Sequence, residues 1–260
     1  MKKKILLGGI LGILLLLVIG VVVAGFFLGS IVKAGLETVG PKITQTSLKV
    51  DSVNVSLLGG SAGVNGLVLG NPEGFKTPLA ISVGKVAVSV APMSILSDKV
   101  VVRSVEVRAA EITFEGSPFG ANNLNKIMEN VNAIAGGGKA GTNAAAQAGA
   151  KKPAKKLEVD DFLIIGAKVH VSLTGMGGKE MTLPLPDIHL QDLGKDGDGI
   201  TPAELTREVL GQITSATIKA VASAVTDLGK GATTAVKDAG KTVGDSADKL
   251  KKGLGGLFGK

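Results

Sequence analysis

The residues best suited to chemistry in this 260-residue chain are a handful of carboxylates and two histidines. Asp196, Asp198 and Gly199 fall in the run Gly194-Lys195-Asp196-Gly197-Asp198-Gly199-Ile200, which invites a calcium-loop reading. An EF-hand loop needs glycine at its sixth position and carboxylates at its first and twelfth. With Gly199 sixth, those two positions fall on Gly194 and Leu205, so the run reads as a polar turn. Asp187 and His189 could share one strand face and hold a metal, but two ligands make a poor site. His170 and His189 alternate with residues expected to face the core, so both are expected to point outward. Glu111 and Glu115 on one strand face, and Asp160 and Asp161 at a strand start, read as solvated edge charge. No glycine-rich phosphate loop precedes a helix, and no serine has a base and an orienting acid nearby in sequence. Absence of cysteine excludes disulfides and thiolate metal sites. The sequence therefore predicts a non-enzymatic protein with no catalytic residue, no cofactor and no metal.

The elements that carry these groups begin with a membrane signal. Lys2, Lys3 and Lys4 precede residues 5–28, which contain no charged residue. As a helix this run measures roughly 36 Å, against a hydrocarbon core of about 30 Å. It is longer than the apolar part of a cleaved leader, usually about 7 to 15 residues, although Val23-Ala24-Gly25 leaves cleavage open. The prediction is an N-terminal transmembrane helix with a cytoplasmic lysine cluster and an exported body. A cysteine-free exported domain fits a bacterial envelope. The net charge of +7 includes those three lysines, and the chain has no Trp, no Tyr and seven Phe. It therefore offers neither the basic footprint nor the stacking platform of a nucleic-acid binder.

Beyond the anchor the pattern is mainly β with helices. Val50, Val53 and Val55, then residues 81–90, 100–107, Ile112 and Phe114 alternate in short runs between Gly, Asn and Pro turns, which predicts an antiparallel sheet. Residues 121–134 read as one short internal helix, with Asn122 or Asn123 as cap and Leu124, Ile127, Met128 and Val131 on one face. That stripe is expected to close one end of the sheet. The Gly/Ala/Lys stretch over residues 135–156 reads as a flexible loop. Strands resume at Leu157 and continue to Leu190. The divisions are thus 1–33 for the lysine cluster and anchor, 34–134 and 157–200 for the β-domain, 135–156 for the loop and 201–260 for a helical tail.

An internal repeat runs through the strands. Val102, Val105, Val107, Ala110, Ile112 and Phe114 have the spacing of Val159, Phe162, Ile164, Ala167, Val169 and Val171. Each copy is an alternation, a one-residue slip at Ala and a second alternation, the pattern of strand, bend or bulge, strand. Such copies suggest a sheet that grows by similar units. In the tail Thr201, Pro202 and Glu204 start a helix. Its apolar stripe follows a period of about eleven residues per three turns. Lysines border the stripe and glycines interrupt it. This long amphipathic helix could lie on an anionic bilayer, pack on its own domain or stay disordered.

Several stretches together resemble the AsmA family of bacterial envelope proteins, as a short member. They are Val39-Gly40-Pro41-Lys42-Ile43-Thr44, Ser56-Leu57-Leu58-Gly59-Gly60, Gly66-Leu67-Val68-Leu69-Gly70-Asn71-Pro72-Glu73-Gly74-Phe75 and Ser94-Ile95-Leu96-Ser97-Asp98. Thr182-Leu183-Pro184-Leu185-Pro186-Asp187-Ile188 and Gly199-Ile200-Thr201-Pro202 fit the same family. The resemblance implies an inner-membrane anchor and a periplasmic, curved, groove-like sheet that shelters phospholipid acyl chains in envelope maintenance. Val86, Val88, Val90, Val105, Val107, Ile164, Val169 and Val171 are the candidate lipid contacts. The partners implied are the membrane, through the transmembrane helix and a second surface contact by the tail, and a phospholipid ligand. Nucleic acid is excluded and no protein partner is indicated. A sheet of eight to ten strands, at about 4.8 Å each, measures about 40 Å across and could not alone bridge a periplasm. The competing reading is a tethered structural or interaction protein whose tail binds a membrane or a partner without lipid transfer. Asn71-Pro72-Glu73-Gly74-Phe75 is read as turn chemistry, with Phe75 anchoring the turn on the sheet.

Overall fold

A computed structural model describes residues 27–57, 59–135, 155–173 and 180–255, with side chains of the last helix placed as far as Leu228. The chain divides into two compact units, Met1–Thr217 and Ile218–Lys260. The first holds the sheet. It starts with a helix over residues 27–44 (α1). Then follow β1 (Leu48–Lys49), β2 (Ser52–Ser56), β3 (Ser61–Gly70), β4 (Leu79–Val90) and a 3-10 turn at Pro92–Leu96. After β5 (Lys99–Arg108) and β6 (Glu111–Gly116) come α2 (Asn123–Ala135), β7 (Lys156–Ile165), β8 (Lys168–Leu173), β9 (Glu180–Pro184) and β10 (Ile188–Leu193). The last helix, α3 (Pro202–Gly255), begins in the first unit, and its continuation is what is described of the second.

Among the described residues all ten strands join one sheet in the order β10-β7-β5-β4-β6-β8-β9, with β3 on the other edge of β4 and β1 and β2 beyond it. That order simplifies once the short strands are joined end to end. β5 and β6 are the two halves of one bent strand along the same edge of β4. β7 and β8 are the halves of the next, and β10 and β9 pair with those two halves. The bends line up. Ala109 (φ 50°) lies between β5 and β6, Gly166 (φ 63°) between β7 and β8, and Gly66 (φ 61°) within β3 opposite Gly84. Hydrogen bonds carry the ladder through this crease: Ala109 N donates to Ile165 O (2.9 Å), Lys168 N to Ala110 O (2.9 Å) and Leu185 N to Ala167 O (2.9 Å).

The expected antiparallel sheet is corrected to a mixed one. β5 pairs with β7, and β6 with β8, in parallel. The two copies of the repeat lie side by side in register: Val102 faces Val159, Val105 faces Phe162, Val107 faces Ile164, Ile112 faces Val169 and Phe114 faces Val171. Equivalent residues of the two copies are register partners, which requires the copies to run in the same direction. Parallel neighbours need a long crossover, and the connection holding α2 provides it. Most of the expected loop, residues 136–154, lies outside the described residues. Joining the strands into bent ribbons also narrows the sheet to six ribbons, roughly 25 Å at about 4.8 Å each, rather than about 40 Å.

The expected transmembrane helix is not supported. Among the described residues no helix is long and apolar enough to cross a membrane. Of the run from residue 5 to 28, the first twenty-two positions lie outside the described residues and the rest open α1. That helix is tied to the sheet by polar contacts: Glu37 Oε1 accepts from Val50 N (3.0 Å) and Lys33 Nζ donates to Asp51 O (3.0 Å). Both bonds occupy the break between β1 and β2. Gly29 and Gly40 allow the close approach, since a Cβ on either would run into Val53 or Leu48. α2 packs on β6 and buries Leu124, Ile127 and Val131, with Asn122 as its cap through Asn125 N to Asn122 Oδ1 (2.8 Å).

Candidate functional site: an apolar cavity under the helices

Alternation decides which side chains reach the inner face. Val86 and Val107 are register partners, as are Val88 with Val105 and Val105 with Phe162, so these side chains share a face. Near the crease they do not fill the space beneath α1 and α3, and a cavity of about 340 Å³ remains. Val83, Val86, Val105, Val107, Phe162 and Ile164 form its floor, and Leu36 of α1 with Leu205, Val209, Leu210 and Ile213 of α3 form its roof. Thr44 and Thr206 are the lining residues with a polar side chain. Both hydroxyls are turned back on their own helices: Thr44 Oγ1 donates to Gly40 O (3.0 Å) and Thr206 Oγ1 to Pro202 O (2.8 Å). The walls therefore offer dispersion and hydrophobic contact, and among the described residues no lining group is left to bind or transform a polar ligand.

The roof is placed by a capping box. Thr201 Oγ1 accepts from Glu204 N (3.2 Å), while Glu204 Oε2 accepts from Thr201 N (2.7 Å). The bond from Thr201 N, and a second from Thr201 Oγ1 to the same Oε2 (2.9 Å), hold the Glu204 carboxyl below its ordinary pKa, against the opposing effect of burial and with help from Lys156 and Arg207. The start of α3 is thus one the sequence makes legible, and its first turns pack on the domain.

Of the sequence-predicted contacts, Val86, Val105, Val107 and Ile164 meet at the cavity. Val88 and Val90 lie on the same face farther along β4, half-buried and outside the lining. Val169 and Val171 are fully buried beside Ile112 and Phe114, where α2 packs on β6, and are sealed from the cavity. Phe162 was within reach of sequence reasoning, because it is the repeat equivalent of Val105. Leu36 and the α3 residues were not, since nothing in the sequence says which helix roofs which part of the sheet.

On the opposite face Glu115 departs from the solvated role expected of it. It is 9% exposed, because the turn after β3 folds over it. Its carboxylate accepts from Lys76 N (2.7 Å), Thr77 N (2.8 Å) and Thr77 Oγ1 (2.6 Å). Burial pushes its pKa up, but the three hydrogen bonds and the Lys76 charge outweigh that and leave it lowered. Asn123 completes the network, accepting from Glu115 N (2.9 Å) and donating to Asn71 Oδ1 (2.8 Å) and Thr113 O (2.7 Å). The Asn71-Pro72-Glu73-Gly74-Phe75 turn is fixed mainly by this polar clamp, while Phe75 is only half-buried.

The histidines take up cross-strand partners, His170 with Glu111 and Thr182, His189 with Asp161. Asp187 accepts from Gly166 N (3.2 Å) at the crease instead of joining His189. Among the described residues no three His, Cys, Asp or Glu side chains gather as a metal site. Asp196 and Asp198 are exposed in the glycine turn between β10 and α3.

Fold and site together define a bent mixed sheet, roofed by helices, with a partly open apolar cavity between them. The model of the AsmA family matches residues 1–182, most of the chain, and the protein belongs to that family. Membership makes it an envelope-associated protein of bacterial type. Comparison with curated proteins gives no match.

Proposed function

We propose that the protein acts by binding the hydrocarbon chain of a lipid on the periplasmic side of the envelope, without catalysing a reaction. The observation that carries this reading is the cavity itself: about 340 Å³ walled by aliphatic side chains and one phenyl ring, with both of its hydroxyls already paired. A site with no unpaired polar group discriminates for alkyl chains and leaves a headgroup outside. Val86, Val105, Val107 and Ile164, joined by Phe162, are the contacts. Transfer of lipid between membranes is an extension of the same reading, in which the cavity is one station on the inner face.

The deciding experiment is mass spectrometry of the purified protein for co-purified lipid, paired with uptake of a fluorescent fatty acid from water. Saturable uptake that a cavity-filling Val107→Trp variant abolishes supports the reading. A lipid-free protein that takes up no fatty acid overturns it and favours the competing role, a structural or interaction domain.

A further inference from the structure

At the end of the sheet that carries the Pro92–Leu96 turn, Met93 is 81% exposed and Leu96 85%. The cavity does not account for them. The turn is rigidly held: Ser94 Oγ donates to Ala91 O (2.7 Å) and accepts from Val101 N (2.9 Å), Ser97 Oγ donates to Ser94 O (2.8 Å), and Lys155 Nζ reaches Ile95 O. Its neighbour is the β2–β3 turn, where Gly60 packs against Pro92 and its carbonyl accepts from Val90 N (2.7 Å). Two large apolar side chains are thus displayed on a fixed scaffold, where water makes them costly.

The start of α1 lies toward the same end. Along the edge ribbon, Gly40 meets Leu48, Glu37 meets Val50 and Gly29 meets Val53, so α1 runs opposite to β1 and β2 and begins toward the β2–β3 turn. There Phe27 is 68% exposed and Ile31 64%. An apolar tip and an apolar helix start therefore lie toward one end. The charges nearby are of both signs, Lys99, Lys155 and Lys156 against Asp98 and Glu158, so the exposed apolar side chains rather than a large net charge distinguish this end. The inner face links this end to the cavity through the pairs Val88 with Val105 and Val90 with Val102.

We propose that this end docks on a lipid bilayer, with Met93 and Leu96 entering the acyl layer of the facing leaflet. Resting on the cavity reading, the Val88–Val90 strip of the inner face is then the path by which a chain leaves the leaflet for the cavity.

The chain has no tryptophan and no tyrosine, so a single introduced Trp reports its own surroundings. Met93→Trp, Leu96→Trp and Phe119→Trp are compared in the full chain mixed with phosphatidylethanolamine/phosphatidylglycerol vesicles whose acyl chains are brominated. Phe119 is 74% exposed beyond the far end of β6 and serves as the control. The expected result is a blue shift and bromine quenching at positions 93 and 96, with position 119 unchanged and open to aqueous iodide. Equal behaviour at all three positions, quenched or not, overturns the docking. A second arm uses Met93→Glu/Leu96→Glu. Uptake of monomeric fatty acid from water stays as in the parent, while uptake from vesicles falls by about tenfold or more. If the parent takes up no fatty acid from water, the cavity reading fails and the quenching alone judges the docking. If both kinds of uptake survive in the double variant, the Val88–Val90 path is wrong.

Discussion

Ala109 and Gly166 occupy the same place in two consecutive copies of one bent strand, and both have left-handed backbone, φ 50° and 63°. Their copies are parallel neighbours, with Ala109 N donating to Ile165 O (2.9 Å), so one crease crosses both strands and turns the sheet over its inner face. A left-handed conformation costs a residue with a Cβ about 1–2 kcal/mol. Nothing lies within 4 Å of a Cβ placed on Gly166, so at that site conformation alone opposes a side chain.

Gly166→Ala is therefore expected to destabilise the protein by about 1 kcal/mol, and Ala109→Gly to stabilise it by about 1 kcal/mol or less. Urea denaturation of both variants checks the pair. Opposite signs at equivalent positions support the crease as the source; equal signs would contradict it.

The clamp on the Asn71 turn gives a second expectation. Glu115→Gln leaves at least one of three donors facing an amide NH₂ instead of an oxygen, at a cost of about 2–3 kcal/mol. Because the folded pKa of Glu115 is lowered, its contribution is fully present above the ordinary carboxylate range and is lost as pH falls through that range toward the folded value. The stability gap between parent and variant should accordingly be widest near neutral pH and close in acid. A gap independent of pH would show that the charge is irrelevant.

Cavity variants should separate binding from stability. Ile164→Ala removes buried volume and is expected to cost about 2–4 kcal/mol, measured by chemical denaturation. Val107→Trp should reduce fatty-acid uptake by about tenfold or more while changing stability less than Ile164→Ala does. Unimpaired uptake in the filled variant would place the ligand elsewhere.

At the head of α3, Thr201→Ala removes the hydroxyl of the capping box and should cost about 1 kcal/mol. Glu204 has a lowered folded pKa, so the box too is strongest above the carboxylate range and weakens in acid. Denaturation of Thr201→Ala at neutral and acidic pH tests this, the difference from the parent being smaller in acid.

Much of the fold could be read because it is written in local periodicity. Alternation marked the β-runs, Asn122 and Thr201 marked two helix starts, and the repeat marked the two bent copies. Strand direction could not be read. Copies of one pattern can pair parallel or antiparallel with the same apolar faces inward, and only the crossover through α2 settles which. The burial of Glu115 is hidden for a similar reason: alternation puts it on the outer face, but a turn some forty residues earlier folds over that face and supplies its donors.

By itself, then, the sequence determined where strands and helices form and which side chains share a face, since both follow from φ/ψ preference and a period of two or 3.6 residues. It also determined the family, through the order of short motifs. Tertiary structure alone decided that Val86, Val105, Val107 and Ile164 border open space whereas Val169 and Val171 do not. All of them are buried or half-buried valines and isoleucines in alternating strands. The difference lies in which helix covers each half of the crease, α2 closing one tightly and α1 with α3 spanning the other.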